Sequence, residues 1–261
     1  MRALFLGTGT SHGVPMIGCD CTVCRSDDPH DKRTRSSIVI TADDGTSVLV
    51  DTTPDLRTQA LERRLRRVDA VLYTHSHADH LAGLDELRRF NAICGGPIPV
   101  YGDVPTLTDV RRIFDYVFDD SGPRGGGVPS LRLWTIGGPF CVGRLEVVPV
   151  PIFHGQRMIL GFRFGPLAYL TDCSAIPESS FDLLHGLDVL VLDALRRRPH
   201  PTHLTVDGAV ALARRIGAGK TYFTHIAHDL GHAETSSSLP AGMALAYDGL
   251  TLTLGNGAMR Q

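Results

Sequence analysis

Along the chain, apolar residues alternate with polar ones or run unbroken over short stretches more often than they recur at helical spacing. Such stretches lie at residues 2–6, 36–41, 47–51, 69–74, 98–101, 131–135, 145–150, 159–164, 167–171, 188–193, 220–224 and 250–254, and read as β-strands. The second and third are joined by Ala42-Asp43-Asp44-Gly45-Thr46, whose Asp-Gly pair predicts a hairpin. Helical spacing appears at residues 54–67, where Leu56, Ala60, Leu61 and Leu65 form a stripe. Arg63, Arg64, Arg66 and Arg67 gather at its C-terminal end, where cations suit the helix dipole. Two more helices are expected at residues 104–118 and 205–216, the latter with Thr205 as N-cap.

Strands come first in each half of the chain and then alternate with helices. The order predicts one domain over residues 1–261, made of two similar halves at about 1–125 and 126–261. Each half is expected to be a sheet covered by helices on one face. The loosest stretch, Ser-Gly-Pro-Arg-Gly-Gly-Gly-Val-Pro-Ser at residues 121–130, reads as a linker or as a flexible loop beside the site.

Composition narrows the class without naming a function. The 261 residues are 43% hydrophobic and 21% charged, which excludes disordered and collagen-like chains. No stretch approaches the roughly 18–20 apolar residues of a membrane span, so no membrane partner is expected. The first ten residues lack the apolar core and small-residue cleavage site of a secretory signal, and the expected location is the cytoplasm. A net charge of −2 gives no basic excess for gripping a large nucleic acid. All but Lys32 and Lys220 of the 26 basic residues are arginines, which fits codon bias or phosphate recognition by guanidinium forks.

Chemistry concentrates in the histidines and cysteines. Thr74-His75-Ser76-His77-Ala78-Asp79-His80 follows a predicted strand directly. His75 and His77 share one side of an extended backbone, while Asp79 and His80 fall where the next helix begins. Three further candidates stand just after strands: His154, Asp172 and His225. Cys19, Cys21 and Cys24 crowd into six residues, a chelate spacing and not a disulfide framework. With His228 as fourth ligand they would make a closed tetrahedral zinc site.

The Thr-His-x-His-x-Asp-His run, the later His, the Asp after Tyr-Leu-Thr and the final Thr-His together resemble the metallo-β-lactamase superfamily. The resemblance implies an α/β fold, the αββα four-layer sandwich, with a dinuclear centre at one edge of the two sheets. It implies one metal on His75, His77 and His154, a second on Asp79, His80 and His225, and Asp172 bridging both. The cysteines, the start Gly7-Thr8-Gly9-Thr10-Ser11-His12-Gly13-Val14-Pro15, and the pairs Pro240-Ala241-Gly242 and Tyr247-Asp248-Gly249 resemble the cyclic phosphate phosphodiesterases of bacterial phosphonate breakdown. That likeness implies a small phosphorylated substrate, 5-phosphoribosyl 1,2-cyclic phosphate, opened to ribose 1,5-bisphosphate by a metal-activated hydroxide with a His as general acid. The matching His is His203, with His200 as a competitor three residues earlier. Ala194-Leu195-Arg196-Arg197-Arg198 departs from the family's pattern and leaves the substrate open.

The expected cofactors are two catalytic divalent metals, manganese or zinc with iron also compatible, and one structural zinc. The oligomeric state stays open, a homodimer included. Alternatives on the same scaffold are a tRNA 3′-processing endonuclease, a lactonase, a thioesterase, or a non-hydrolytic relative of the pyrroloquinoline quinone biosynthesis protein. No lysine-rich arm of the kind that grips tRNA is present.

Overall fold

The computed structural model describes residues 1–119 and 127–255; residues 121–126 of the glycine-rich segment therefore lie outside the described residues. Fourteen strands are seen: β1 (Arg2–Gly7), β2 (Ser37–Thr41), β3 (Ser47–Val50), β4 (Ala70–Leu72), β5 (Ile98–Gly102), β6 (Leu131–Thr135), β7 (Phe140–Val142), β8 (Leu145–His154), β9 (Arg157–Phe164), β10 (Leu167–Leu170), β11 (Val189–Asp193), β12 (Lys220–Thr224), β13 (Met243–Leu245) and β14 (Thr251–Thr253). They form two sheets of seven, in the orders β14-β1-β2-β3-β4-β5-β6 and β13-β12-β11-β10-β9-β8-β7. Each sheet is antiparallel through its first strands and turns parallel, at β3–β4 in one and at β10–β11 in the other.

Side chains alternate between two buried faces, which is why these strands read as apolar runs. Val48, Val50, Ala70 and Leu72 point inward to meet Leu167, Tyr169, Val189 and Val191 of the other sheet. Leu49 and Val71 point outward into one helix-covered layer, with Leu56, Leu87 and Val110. Ala168, Leu170, Leu190 and Leu192 point into the other, with Val206, Ala209 and Ala213. The result is the expected order of helix, sheet, sheet, helix. Strand β6 joins the first sheet beside β5, and the C-terminal strand β14 returns to lie beside β1.

Two expected helices are shorter than their patterns. The helix Leu56–Glu62 stops early because Arg64 adopts a left-handed φ of 52°. Leu65 N–H then bonds Ala60 C=O at 2.9 Å and Arg64 N–H bonds Leu61 C=O at 3.3 Å, the Schellman closure that glycine usually provides. The helix Val104–Ile113 likewise ends at Phe114 before a short turn at Asp115–Phe118. The helix Val206–Ile216 is capped by Thr205, whose hydroxyl accepts from Gly208 N–H.

The loop after β1 ties both sheets together. Gly9 bridges Arg35 on one side and Ile226 on the other. A Cβ at Gly9 would stand 2.8 Å from the Arg33 carbonyl, so this close approach requires glycine. No helix among the described residues is long and apolar enough to cross a membrane.

Candidate metal centre

Six strand ends converge on one edge of the sandwich. Asp51 follows β3, and Thr74 to His80 follow β4. His154 is the last residue of β8, and Asp172 lies just past β10. Asp193 closes β11, and His225 directly follows β12. The sheets are joined here by Leu160 N–H donating to Thr74 C=O at 3.1 Å. Among the described residues, the non-glycine residues at positive φ are Asp51, Arg64, Asp172 and His225. Three of these four stand at this edge, where the chain must turn sharply as it leaves a strand. Asp and His tolerate that region better than most side chains.

Two sets of ligand atoms gather there. His75, His77 and His154 form one; Asp79, His80, Asp172 and His225 form the other, each with its atoms within 4.8 Å of one another. His75 Nε2 and His77 Nδ1 stand 2.9 Å apart. His80 Nε2 lies 3.3 Å from Asp172 Oδ1 and 3.4 Å from Asp79 Oδ2. His225 Nε2 lies 3.4 Å from Asp172 Oδ2, and His75 Nε2 lies 4.0 Å from that same oxygen. Asp172 thus faces both sets. Ligand nitrogens and oxygens about 2.0–2.2 Å from a tetrahedral ion would stand roughly 3.3–3.5 Å apart, close to the spacing seen. His80 Nε2 and both ring nitrogens of His225 are buried without a hydrogen-bond partner, a costly arrangement that a cation would relieve. The fold implies divalent metal ions, and the residues present fit them.

Two buried carboxylates that the sequence pattern did not single out hold these rings. Asp51 accepts from Thr74 N–H and Thr74 Oγ1, each at 2.9 Å, and from His80 Nδ1–H at 2.7 Å. Asp193 accepts from His203 Nδ1–H and from Leu204 N–H, each at 2.9 Å, and lies 3.4 Å from His225 Nδ1. His154 is aimed the same way, its Nδ1–H shared between the carbonyls of Asp172 and Thr202. Both carboxylates do carry a sequence signal: each ends an otherwise apolar run, Val-Leu-Val-Asp and Val-Leu-Asp. A charge there must have partners waiting.

The two sets differ in charge. Burial pushes His75 well below the usual imidazole range, with the neighbouring His80 adding to it. Burial lowers His77 too, and brings His154 down to about 4. Burial also opposes charge on His80, but Asp172, Asp51 and Asp79 outweigh it and raise that ring well above its ordinary value. His225 is raised in the same way, by Asp172 and Asp79 against its burial. Asp172 is held far below the usual carboxylate range despite burial, by His225 and His80. One set therefore offers neutral nitrogens; the other is a charge-paired cluster whose protons a cation would displace.

The cysteines form a separate group with His228. Sγ of Cys19, Cys21 and Cys24 lies 3.2, 3.3 and 3.6 Å from His228 Nδ1. One ring nitrogen cannot hydrogen-bond three sulfurs, whereas bonds of about 2.3 and 2.0 Å to a tetrahedral zinc place sulfur and nitrogen about 3.5 Å apart. The four residues could form a zinc knob. Arg33 locks its base: the guanidinium is buried, pairs with Asp31 at 2.8 Å, and donates to Ala227 and Leu230 carbonyls.

His203 lies 4.5 Å from His225, ring stacked on ring, and shares a cluster with His154 and Asp172. Burial and the nearby His225 bring it down to about 3. His200, 5.0 Å from His203, instead accepts from Thr202 and meets no carboxylate among its bonded partners. Both rings line a cleft of about 300 Å³ between the Thr10–Met16 loop and the segment from Leu195 to His203. His12 lines it as well. A groove of about 360 Å³ on the outer helices, around Arg57 and Phe90, shares none of these residues.

Comparison with known proteins agrees with this geometry. A solved structure of a diphosphatase from the PhnP family matches with a TM-score of 0.90 and 46% identity over 98% of each chain. The octanoyltransferase of Porphyromonas gingivalis is 40% identical over 255 residues, 96% of this chain but 51% of that protein; the chain spans about half that relative's length. Coenzyme PQQ synthesis protein B of Rhodopseudomonas palustris is 31% identical, over 97% of this chain and 100% of its own. The profile of the β-lactamase superfamily domain covers residues 46–226, from β3 past the last strand-end histidine, and the chain thus belongs to the metallo-β-lactamase superfamily.

Proposed function

We propose that the protein is a phosphodiesterase that opens a small cyclic phosphate ester, 5-phosphoribosyl 1,2-cyclic phosphate being the substrate its chemistry fits best. The observation that carries this reading is His203. It is a non-ligand imidazole beside both ligand sets, turned by the Asp193 carboxylate 2.9 Å from its Nδ1. Such a ring is what an alkoxide leaving group requires and what a metal site by itself lacks.

His75, His77 and His154 would hold one divalent cation, and Asp79, His80 and His225 a second, with Asp172 between them. Zinc, manganese and iron all suit this donor set. When bound, two such ions would supply charge for the phosphate oxygens and an acidified water. Asp193 accepts from the His203 Nδ1–H and fixes the ring, so that a second proton, taken up on Nε2, would point at the leaving oxygen. In the reaction water adds to phosphorus and gives up one proton to solvent, the bond from phosphorus to one ribose oxygen breaks, and that oxygen leaves as a hydroxyl with a proton from the protonated His203, which solvent then restores. General acid catalysis of this kind contributes about 10² to 10⁴ in rate. Cys19, Cys21, Cys24 and His228 would hold a structural zinc.

The small cleft and the net charge of −2 favour a small phosphorylated metabolite over a large nucleic acid, with the enzyme acting in the cytoplasm. The test is a hydrolysis panel on the metal-loaded protein: bis(p-nitrophenyl) phosphate, 2′,3′-cyclic nucleotides, ribosyl 1,2-cyclic phosphate with and without the 5-phosphate, a lactone and a thioester. Turnover of the cyclic phosphates above the rest is expected. Turnover confined to the lactone or thioester, or none at all, overturns the reading.

A further inference from the structure

Three consecutive arginines follow β11, and the structure gives each a different fate. Arg197 turns away from the cleft toward Ser238, 3.5 Å from its hydroxyl. Arg198 lines the cleft but is neutralised by Asp229 at 3.1 Å. Arg196 also lines the cleft, and its bonds go to carbonyl oxygens: Nε–H donates to Arg198 C=O at 3.3 Å and Nη2–H to Pro199 C=O at 3.0 Å. Those bonds fix the guanidinium without cancelling its charge.

Its backbone is fixed as well. Arg196 bridges Thr205, and Val206 N–H donates to its carbonyl at 3.1 Å. Asp229 is the one carboxylate among the residues lining the cleft, and Arg198 already occupies it. The cleft is therefore left with an uncompensated cation. Arg196 also stands near enough to His200 to help lower it, after burial and the neighbouring His203 ring. A guanidinium has five N–H donors in a planar fork. Two are engaged here, and the remainder suit the paired oxygens of a phosphate.

We propose that Arg196 is the subsite for a second, distal phosphate of the substrate, held in the same cleft as the phosphoester that meets His203. The assignment rests on the phosphodiesterase reading, and it makes the substrate class a phosphoester carrying a further phosphomonoester. An anchored cation serves this better than a free one, because little side-chain entropy remains to be lost on binding.

The experiment uses the full-length, metal-loaded protein and two esters that differ by one group: 5-phosphoribosyl 1,2-cyclic phosphate and ribosyl 1,2-cyclic phosphate. Wild type should prefer the first. Arg196→Gln should lower kcat/KM on the phosphorylated ester by about 10- to 100-fold, mainly through KM, as expected for lost charged hydrogen bonds. The same variant should turn over the unphosphorylated ester as wild type does. Arg196→Lys, which keeps the charge but not the fork, should recover part of the loss. Equal losses on both esters would show that Arg196 merely supports the loop of His200 and His203, and overturn the proposal. So would no loss on either, or a wild type indifferent to the 5-phosphate. A wild type that hydrolyses neither ester nor bis(p-nitrophenyl) phosphate overturns the phosphodiesterase reading and this inference together.

Discussion

His80 turns one ring nitrogen toward Asp79 and Asp172 because Asp51 holds the other, 2.7 Å away and fully buried. The same carboxylate takes Thr74 N–H and Oγ1, so one group orients the histidine and the start of the loop that carries it. Asp51→Asn would turn an amide donor toward one of these partners. It should weaken metal binding about 10- to 100-fold, the range for such outer carboxylates. Metal titration checks this, and excess metal should restore much of the activity. Unchanged affinity would deny Asp51 the role.

Asp172 faces both ligand sets, and its loss should be the most damaging of the seven. Well-loaded wild type should carry about three metal ions per chain, two at the strand ends and one at the cysteines. Asp172→Ala should cut that number while leaving the cysteine site filled. Elemental analysis of the folded protein decides; one ion or fewer in loaded wild type contradicts a dinuclear centre.

His225 and His228 lie three residues apart yet face different clusters. This segment has anchors of its own besides the knob. Ile226 N–H donates to Thr8 C=O at 2.8 Å, and Arg33 holds Ala227 and Leu230. Cys21→Ser should therefore lower Tm by about 5 °C or more, at roughly 2–4 °C per kcal/mol for a domain of this size. The surviving folded protein should keep most of its kcat. Calorimetry with zinc analysis and kinetics on the same sample separates the two. Lost turnover with Tm and zinc unchanged would put the cysteines in the reaction.

As the proposed general acid, His203 should matter where the leaving group is poor. Ribose oxygen must take a proton as it departs; p-nitrophenolate need not. His203→Ala should slow cyclic phosphate hydrolysis by about 10² or more and bis(p-nitrophenyl) phosphate far less, with both metals retained. Asp193→Asn should show the same split in weaker form. Equal losses on both substrates would make His203 a support for phosphate or metal. A split at His200→Ala in its place would move the acid by three residues.

Much of this was open to reading in the amino-acid order alone. Strands buried on both faces leave unbroken apolar runs, so β2, β3, β10 and β11 and the layered architecture follow from local pattern. The His75 to His80 run is legible because its ligands are neighbours in sequence, and the three cysteines for the same reason. Short elements were not legible: β7 and β13 hold too few residues to show a period. The early end of Leu56–Glu62 was hidden because Arg64 occupies a position where glycine is the usual signal.

What the tertiary structure decided are relations between residues far apart in the chain. Asp51 with His80, Asp193 with both His203 and His225, and Asp172 between two sets are set by which strand ends adjoin in the folded sheets. The different surroundings of His203 and His200 belong there too, since Asp193 bonds the first ring and Thr202 the second. So do the separate fates of Arg196, Arg197 and Arg198, identical in type and consecutive in sequence. Local order determines which groups are available; long-range packing of charge against burial determines which are paired, and so which are left to act.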